Sequence, residues 1–362
     1  GGASFPLTLK RVAKTVASNR PQEPKKPYPY DEEEVSYENK RDNVKLAGTL
    51  TLPRTKAPFA AVILITGSGA QNRNEELLGH KPFLVLADYL TRQGIAVLRV
   101  DDRGIGGSTG SVSNSTSENF AADVLAGIEF LKARKDINAQ QIGLIGHSEG
   151  GIIAPMVAAQ SSDVAFIVLM AGTGLTGEEI LYLQGALIAK ANGASAETLA
   201  KQRAQQESSF AILKKEKDNT AVEKLLREDF AKQIASLSEV EKKGAEQTFN
   251  AQIKQVTSPW FRYFLTYDPR PALKQVKCPV LALNGENDLQ VPVNENLREI
   301  EAALKTAGNK DVTIARLPKL NHLFQTSETG SPNEYSKIEE TIAPVALKTM
   351  GDWILKHTTT QK

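Results

Sequence analysis

Short, almost continuous apolar runs alternate with helical segments along most of this chain. Six runs rich in valine and isoleucine occupy residues 60–65, 95–100, 142–145, 164–170, 280–283 and 312–317. Strands that are covered on both faces need runs of this length and composition. Apolar residues at helical spacing mark two of the intervening segments, at residues 82–90 and 120–131. This alternation predicts an α/β domain with a parallel sheet.

Two segments depart from this pattern. Residues 1–34 are predicted to be an N-terminal extension and linker, because prolines and an acidic run fill residues 19–34, with one short amphipathic helix over residues 7–18. Residues 174–268 are dominated by alanine, glutamine, lysine, glutamate and leucine, which predicts a helical insertion. The main domain is then residues 35–173 with 269–362, and it opens with an antiparallel hairpin whose turn lies at residues 42–43.

The charge balance limits the partners that such a domain would bind. With 44 basic and 42 acidic residues the net charge is +2, so no strong field would attract nucleic acid or anionic lipid. Small-molecule or short-peptide substrates are the expected partners. No apolar run approaches the roughly 20 residues needed to span a bilayer. The chain starts Gly1-Gly2-Ala3 without methionine, so we expect a processed or engineered terminus, which is compatible with export after removal of a leader.

The strongest chemical signal lies at residues 142–159, which read IGLIGHSEGGIIAPMVAA. A buried strand, a sharp turn flanked by glycines and an apolar helix form the context that a nucleophile elbow requires. Glycine at positions 146 and 150 removes side chains that would crowd the turn. We therefore predict that Ser148 presents a nucleophilic hydroxyl at the sheet edge. The alternative is a tight turn that uses small residues for packing alone.

A serine hydroxyl is a weak nucleophile at neutral pH and needs a base within hydrogen-bond reach. Of the four histidines, His322 lies in the loop that follows the last apolar run. Loops at the carboxyl ends of parallel strands converge on the binding edge of such a sheet. We predict His322 as the base, His147 and His357 as structural residues, and His80 as a capping or supporting residue.

The acid that orients this histidine is expected in the loop after the penultimate run. Asp288 lies five residues beyond Leu283 and is the predicted acid, while Glu286 in the same loop is the alternative. The chain order Ser148, Asp288, His322 is that of α/β-hydrolases rather than of chymotrypsin or subtilisin.

Acyl transfer also needs donors for a developing oxyanion. The backbone N–H of Glu149 is predicted as one donor, because it follows the nucleophile directly. The loop after residue 65 reads TGSGAQNRN and supplies the second, with Ser68 preferred and Gly69 as the alternative. This loop lacks the lysine of a phosphate-binding P-loop.

The glycines at residues 104–107 do not form a dinucleotide-binding motif, because no helix begins directly after them. We predict instead that Asp102 and Arg103 hold this loop through salt bridges or backbone contacts. No group of cysteine, histidine and carboxylate residues has the spacing of metal ligands, so neither a metal nor another cofactor is predicted.

With these residues assembled, the sequence resembles the α/β-hydrolase superfamily over residues 35–357, most closely bacterial esterase-like and serine aminopeptidase (S33)-like members. The resemblance rests on residues 67–71 (GSGAQ), 101–108 (DDRGIGGS), 146–151 (GHSEGG), 285–288 (GEND) and 321–322 (NH). It implies an eight-stranded, mostly parallel sheet with helices on both faces, a catalytic triad and a helical cap inserted after the sixth strand. Thr66 stands where many members have histidine.

The reaction that this resemblance implies is attack by Ser148 on an ester carbonyl, followed by hydrolysis of the acyl-enzyme without a cofactor. Hydrolysis of carboxylic esters is the first hypothesis. The alternative is a serine peptidase of the aminopeptidase or dipeptidyl-peptidase kind, in which Glu178 or Glu179 of the cap would bind the substrate amine. A catalytically inactive binding protein on the same fold is the third hypothesis.

Overall fold

A computed structural model describes residues 19–235 and 237–358 of the chain. Its strands are β1 (Tyr30–Asn39), β2 (Val44–Pro53), β3 (Phe59–Ile65), β4 (Ala96–Val100), β5 (Ile137–His147), β6 (Phe166–Met170), β7 (Val280–Gly285) and β8 (Val312–Leu317). They form one eight-stranded sheet in the order β1-β2-β4-β3-β5-β6-β7-β8. β2 pairs antiparallel with β1 and β4, and all other neighbours are parallel. The predicted, mostly parallel sheet is therefore confirmed.

The helices in the described ranges fall between the strands, as the sequence pattern predicts, except for the last one, which follows β8. They are α1 (Pro82–Arg92), α2 (Ser117–Lys132), α3 (Gly150–Ala158), α4 (Gly177–Ala191), α5 (Ala196–Lys215), α6 (Asn219–Ile234), α7 (Glu239–Val256), α8 (Pro259–Thr266), α9 (Arg270–Leu273), α10 (Val293–Thr306) and α11 (Pro344–Thr358). Two 3-10 turns lie at Val112–Asn114 and Pro332–Lys337. Within the described ranges, no helix combines the length and apolar character needed to cross a membrane.

The sheet is covered on both faces, which explains why its strands are apolar without alternation. Alternate residues of β3 face opposite sides of the sheet. Residues 61, 63 and 65 pack into a core on one face, together with residues of α2, α3 and α10. Residues 60, 62 and 64 pack into a core on the other face, together with residues of α1 and α11. Each buried aliphatic side chain stabilises the fold by about 2 kcal/mol relative to its exposed state. The two cores hold the carboxyl ends of the parallel strands in a fixed arrangement.

The predicted insertion consists of helices α4 to α8 between β6 and β7. Side-chain oxygens of Ser195, Asp218, Ser238 and Ser258 accept hydrogen bonds from backbone amides at the starts of α5, α6, α7 and α8. The helices bury a small core of their own, formed by Tyr182, Phe210, Leu213, Val222, Leu226, Ile253, Phe261 and Leu265. The insertion is thus helical, and its function as a cap stays a prediction.

The predicted linker is wrong for residues 30–34, because β1 begins at Tyr30. Tyr30 is buried and its hydroxyl donates to Asp88, while the acidic residues that follow pair along β2 with their side chains mostly in solvent. The acidic run therefore belongs to an edge strand rather than to a linker. Before β1, Arg20 donates to the backbone oxygen of Ile338, so this segment also contacts the main domain. The helix predicted over residues 7–18 lies outside the described residues.

Candidate active site

Ser148 lies at the sharp turn between β5 and α3. Its φ is 53°, in the left-handed region that residues other than glycine rarely adopt. A Cβ atom at position 146 would lie 1.9 Å from the Gly150 oxygen, and one at position 150 would lie 2.2 Å from the Ile65 oxygen. Only glycine fits at these two positions, so the surrounding backbone holds the serine in the strained geometry of a nucleophile elbow.

His322 and Asp288 follow the neighbouring strands β8 and β7 and are joined by a hydrogen bond. His322 Nδ1 lies 2.8 Å from Asp288 Oδ2, and both side chains are buried. The other carboxylate oxygen of Asp288 accepts hydrogen bonds from the backbone amides of Gln290 and Val291, at 2.8 and 2.9 Å. These contacts fix the carboxylate and, through it, the imidazole ring. Glu286, the alternative acid, is exposed on the same loop.

Ser148 and His322 lie at the same edge of the sheet. His147, which precedes the serine, donates from Nε2 to the backbone oxygen of His322 at 2.9 Å. Among the residues that the structure describes, Ser148 Oγ makes no hydrogen bond with His322, so their direct contact stays a prediction. Catalytic hydrogen bonds of this kind often tighten only when substrate binds.

The loop after β3 passes beside Ser148. A Cβ atom at Gly67 would lie 3.3 Å from Ser148 Cβ, while the Gly67 amide donates to Glu75 Oε1 at 2.6 Å. Within residues 19–235 and 237–358, the amides of Ser68 and Glu149 donate to no other protein group. The two amides predicted as oxyanion donors are therefore available to a ligand.

Asp102 forms hydrogen bonds with both ends of this loop. Its carboxylate accepts hydrogen bonds from Thr66 Oγ1 at 2.8 Å and from the Gln71 amide at 2.9 Å. Between them, Gly69 has a φ of 109°, which glycine adopts at no steric cost. The prediction placed Asp102 in contact with the glycine loop at residues 104–107, whereas its carboxylate holds the loop after β3 instead; the predicted salt bridges of Arg103 are made with Asp42 and Asp123. Thr66, at the position where many α/β-hydrolases have histidine, contributes one of the Asp102 contacts.

Comparison with known proteins identifies the family of this chain. The family model of X-Pro dipeptidyl-peptidases, family S15, matches residues 27–316, which is most of the chain. The chain belongs to this family. The S15 match includes Ser148 and Asp288 and ends before His322. Membership confirms the predicted hydrolase superfamily, while the predicted likeness to S33 aminopeptidases stays a prediction.

Individual relatives of this S15-family chain are distant in sequence. Esterase EstD of Thermotoga maritima is 27% identical over 312 residues, which cover 83% of this chain but only 64% of that protein's length. An esterase of Pyrococcus furiosus superposes with a TM-score of 0.55 at 18% identity, covering 91% of this chain and 92% of the other. The α/β hydrolase GrgF from Penicillium gives a TM-score of 0.55 at 17% identity, with 91% and 99% covered. Together with the family match, these similarities support a serine hydrolase of the α/β-hydrolase fold.

The other two histidines of this S15-family chain have structural contacts. His80 is fully buried, and its ring nitrogens lie 3.0 Å from Thr341 Oγ1 and 2.9 Å from the backbone oxygen of Tyr335. His357 stacks on Trp353 near the end of α11, with ring centres 3.9 Å apart. These positions agree with the supporting and structural roles predicted for the two histidines.

The side chain of Glu149 was not singled out from the sequence, yet it connects the elbow to the insertion. Its Oε1 accepts hydrogen bonds from Ser117 Oγ at 2.6 Å and from Trp260 Nε1, on α8, at 2.7 Å. Burial raises the pKa of this carboxyl, and the two hydrogen bonds oppose that effect. The residue whose backbone amide is predicted to bind the oxyanion is thus anchored by its side chain.

The two glutamates proposed from the sequence as amine-binding residues are engaged elsewhere. Glu178 accepts hydrogen bonds from Lys214 Nζ at 2.7 Å and from the Tyr182 hydroxyl at 2.9 Å. Glu179 accepts from the backbone amide and hydroxyl of Thr176 in a capping box at the start of α4. Both carboxylates therefore stabilise the insertion itself.

Asp102 makes the stability of the protein depend on pH. Burial raises the pKa of its carboxyl from 3.8 to about 7, which the hydrogen bonds from Gln71 and Thr66 only partly offset. The negative charge of Glu149, on the wall of the same cavity of about 50 Å³, acts in the same direction. Because the folded chain holds this proton more tightly than the unfolded chain, the stabilising contribution is complete below pH 4 and is lost as the pH rises to 7.

We therefore expect Asp102→Asn to gain stability relative to the wild type as the pH rises. The asparagine keeps both contacts, since its oxygen accepts from the Gln71 amide and its nitrogen donates to Thr66 Oγ1. A shift of about three pKa units corresponds to roughly 4 kcal/mol, so most of this difference should develop between pH 4.5 and 7.5. Urea unfolding of both proteins at the two pH values measures it, and a difference that does not change with pH would contradict the account.

Proposed function

We propose that the chain is a serine hydrolase that cleaves carboxylic esters through an acyl-enzyme on Ser148. The observation that carries this proposal is the 2.8 Å hydrogen bond between Asp288 and His322, at the same sheet edge as the strained serine. A carboxylate bonded to Nδ1 keeps the hydrogen on that nitrogen and leaves Nε2 to accept the serine proton. Ser148 is then the nucleophile, His322 the base and Asp288 the orienting acid.

In the first step His322 Nε2 accepts the Ser148 hydroxyl proton while Oγ bonds to the carbonyl carbon. The amides of Glu149 and Ser68 stabilise the charge that develops on the carbonyl oxygen, with Gly69 as the alternative to Ser68. His322 then donates the proton to the leaving oxygen as the ester C–O bond breaks. Water attacks the acyl-enzyme by the same route and releases the acid, so the cycle needs no cofactor.

Two observations favour an ester as the substrate. The relative EstD is an esterase by name and aligns over most of this chain. In addition, a peptidase that trims amino termini needs an accessible carboxylate to bind the substrate ammonium group. Glu178 and Glu179 already bond to Lys214 and Thr176, which leaves neither carboxylate unpaired for that task.

A dipeptidyl-peptidase is the second candidate, because the matching family carries that description. The same triad would then attack a peptide carbonyl, and His322 would protonate a leaving amine instead of an alcohol. What distinguishes the two reactions is the binding of the substrate amino terminus.

We further propose that the helical insertion acts as a cap over the site. Trp260 on α8 donates to Glu149 beside the nucleophile, and Gln184 on α4 donates to Gln290, two residues after Asp288, at 3.1 Å. The insertion thus contacts both sides of the proposed triad. Substrate size would be set by the space under these two helices.

Unactivated substrates test this proposal best, because nitrophenyl esters react with many serine peptidases. We expect short-chain ethyl esters to be hydrolysed with kcat/KM of at least about 10⁴ M⁻¹s⁻¹, the lower end of the range for ordinary enzymes. The acid that is released measures this rate. Gly-Pro-nitroanilide and Ala-nitroanilide should give values at least about 100-fold lower. Efficient cleavage of Gly-Pro-nitroanilide with little ester hydrolysis would favour the peptidase instead.

A further inference from the structure

A second carboxylate–histidine pair, Glu75 and His147, lies directly beneath the proposed triad. Glu75 Oε1 lies 2.9 Å from His147 Nδ1, and both side chains are buried. On its other side, His147 Nε2 donates to the backbone oxygen of His322 at 2.9 Å, and the two imidazole rings lie 4.9 Å apart. The pair therefore reaches the loop of the proposed base.

The same carboxylate oxygen also holds the loop after β3. Glu75 Oε1 accepts a hydrogen bond of 2.6 Å from the Gly67 amide, and a Cβ atom at Gly67 would lie 3.3 Å from Ser148 Cβ. His147 is the last residue of β5 and covalently precedes Ser148. Glu75 and His147 thus connect three separate segments: the proposed oxyanion loop, the elbow and the base loop.

The hydrogen-bond partners define the charge state of the pair. A backbone oxygen only accepts, so His147 Nε2 carries a hydrogen, and Nδ1 faces a carboxylate. Burial lowers the pKa of His147, but the charge and hydrogen bond of Glu75 outweigh it and raise the pKa above its usual value. Asp288 acts in the same direction, and the remaining ionisable neighbours are His322 beside His147 and Asp102 beside Glu75.

Glu75 itself is held in an unfavourable conformation. Its φ is 51°, and its Oε2 is a buried oxygen without a hydrogen-bond partner among the described residues. Left-handed backbone and unsatisfied buried oxygens both cost free energy and are concentrated at functional sites. Both of these unfavourable features occur at Glu75, the residue that contacts the proposed active site.

We propose that Glu75 and His147 are positioning residues, which fix the oxyanion loop, the nucleophile and the base in their positions relative to one another. This role rests on the function proposed above. Neither residue exchanges a proton with substrate. The ion pair is neutral as a whole, so it places a rigid link beneath the triad without adding net charge next to His322. Loss of the link would allow the three segments to shift independently.

The test uses Glu75→Ala and His147→Phe, with Glu75→Gln as the conservative variant and the exposed neighbour Glu76→Ala as the matched control. Misplacement of catalytic groups by about 1 Å costs up to ~100-fold, so we expect kcat to fall by roughly 10- to 100-fold in the first two, with KM changed by less than about threefold. Glu75→Gln should lose less activity than Glu75→Ala, because the glutamine oxygen still accepts from the Gly67 amide, although the same atom cannot also donate to Nδ1 of neutral His147. Each kcat is normalised to the fraction of protein that a fluorophosphonate labels on completion, which corrects for misfolded protein.

The pH profile separates positioning from a general structural role. In His147→Phe the Glu75 carboxylate loses its cationic partner, and uncompensated negative charge raises the pKa of a nearby base. The acid limb of the pH profile, where kcat/KM falls at low pH, should therefore move to higher pH. In Glu75→Gln the pair stays neutral and the limb should not move. Unchanged normalised kcat in Glu75→Ala and His147→Phe, or an unmoved limb in His147→Phe, would overturn the inference. A folded wild type that neither labels nor hydrolyses ester would overturn the proposed function, and this inference with it.

Discussion

Replacement of Ser148 by alanine is expected to lower kcat for ester hydrolysis by at least about 10⁴-fold, because removal of the nucleophile abolishes the acyl-enzyme route. Alanine fits the site, and the elbow is held by the glycines at 146 and 150 rather than by the serine hydroxyl. KM should therefore change little, and folding should be preserved. Steady-state kinetics with a short-chain ester, with circular dichroism and thermal unfolding, measure these quantities.

The control for this variant is Ser113→Ala, on the exposed loop between β4 and α2. It makes the same chemical change outside the site and should leave kcat within about twofold, as surface substitutions usually do. If Ser148→Ala retained wild-type turnover while folded, the assignment of the nucleophile would be wrong.

Asp288→Asn is expected to produce the second largest loss, of about 10³- to 10⁴-fold in kcat, for a reason specific to this loop. Asp288 Oδ1 accepts hydrogen bonds from the amides of Gln290 and Val291. In the variant the asparagine oxygen must take this position, which directs its NH₂ group at His322 Nδ1. The imidazole then carries its hydrogen on Nε2 and can no longer accept the serine proton.

The comparison variant is Glu286→Gln, which makes the same change at the exposed carboxylate of the same loop. We expect it to alter kcat by less than about threefold, since an exposed side chain makes few fixed contacts. Larger loss in Glu286→Gln than in Asp288→Asn would reverse the assignment of the acid.

Much of the fold could be predicted because its signals are local. Each parallel strand is a short apolar run, and the elbow glycines leave no room for a side chain, so both features are visible within a few residues. Asp288 and His322 could be chosen because each follows a strand whose carboxyl end the topology brings to one edge. Their hydrogen bond was inferred from order and spacing alone.

The contacts that the sequence did not predict depend on distant segments. Glu75 meets His147 across 72 residues, and Trp260 meets Glu149 across 111, without a local pattern at either end. The start of β1 was missed for another reason: its acidic residues face solvent, and only pairing with β2 reveals them as a strand. Propensity arguments understate such edge strands because context determines them.

The most direct test of the central claim is to label the folded protein with a fluorophosphonate and to map the adduct by peptide mass spectrometry. The reagent phosphonylates a serine only where a base removes its proton and an oxyanion site accepts the charge. The account predicts one adduct, on Ser148, and none in Ser148→Ala. Adduct formation on another serine, or no adduct on the folded wild type, would contradict it.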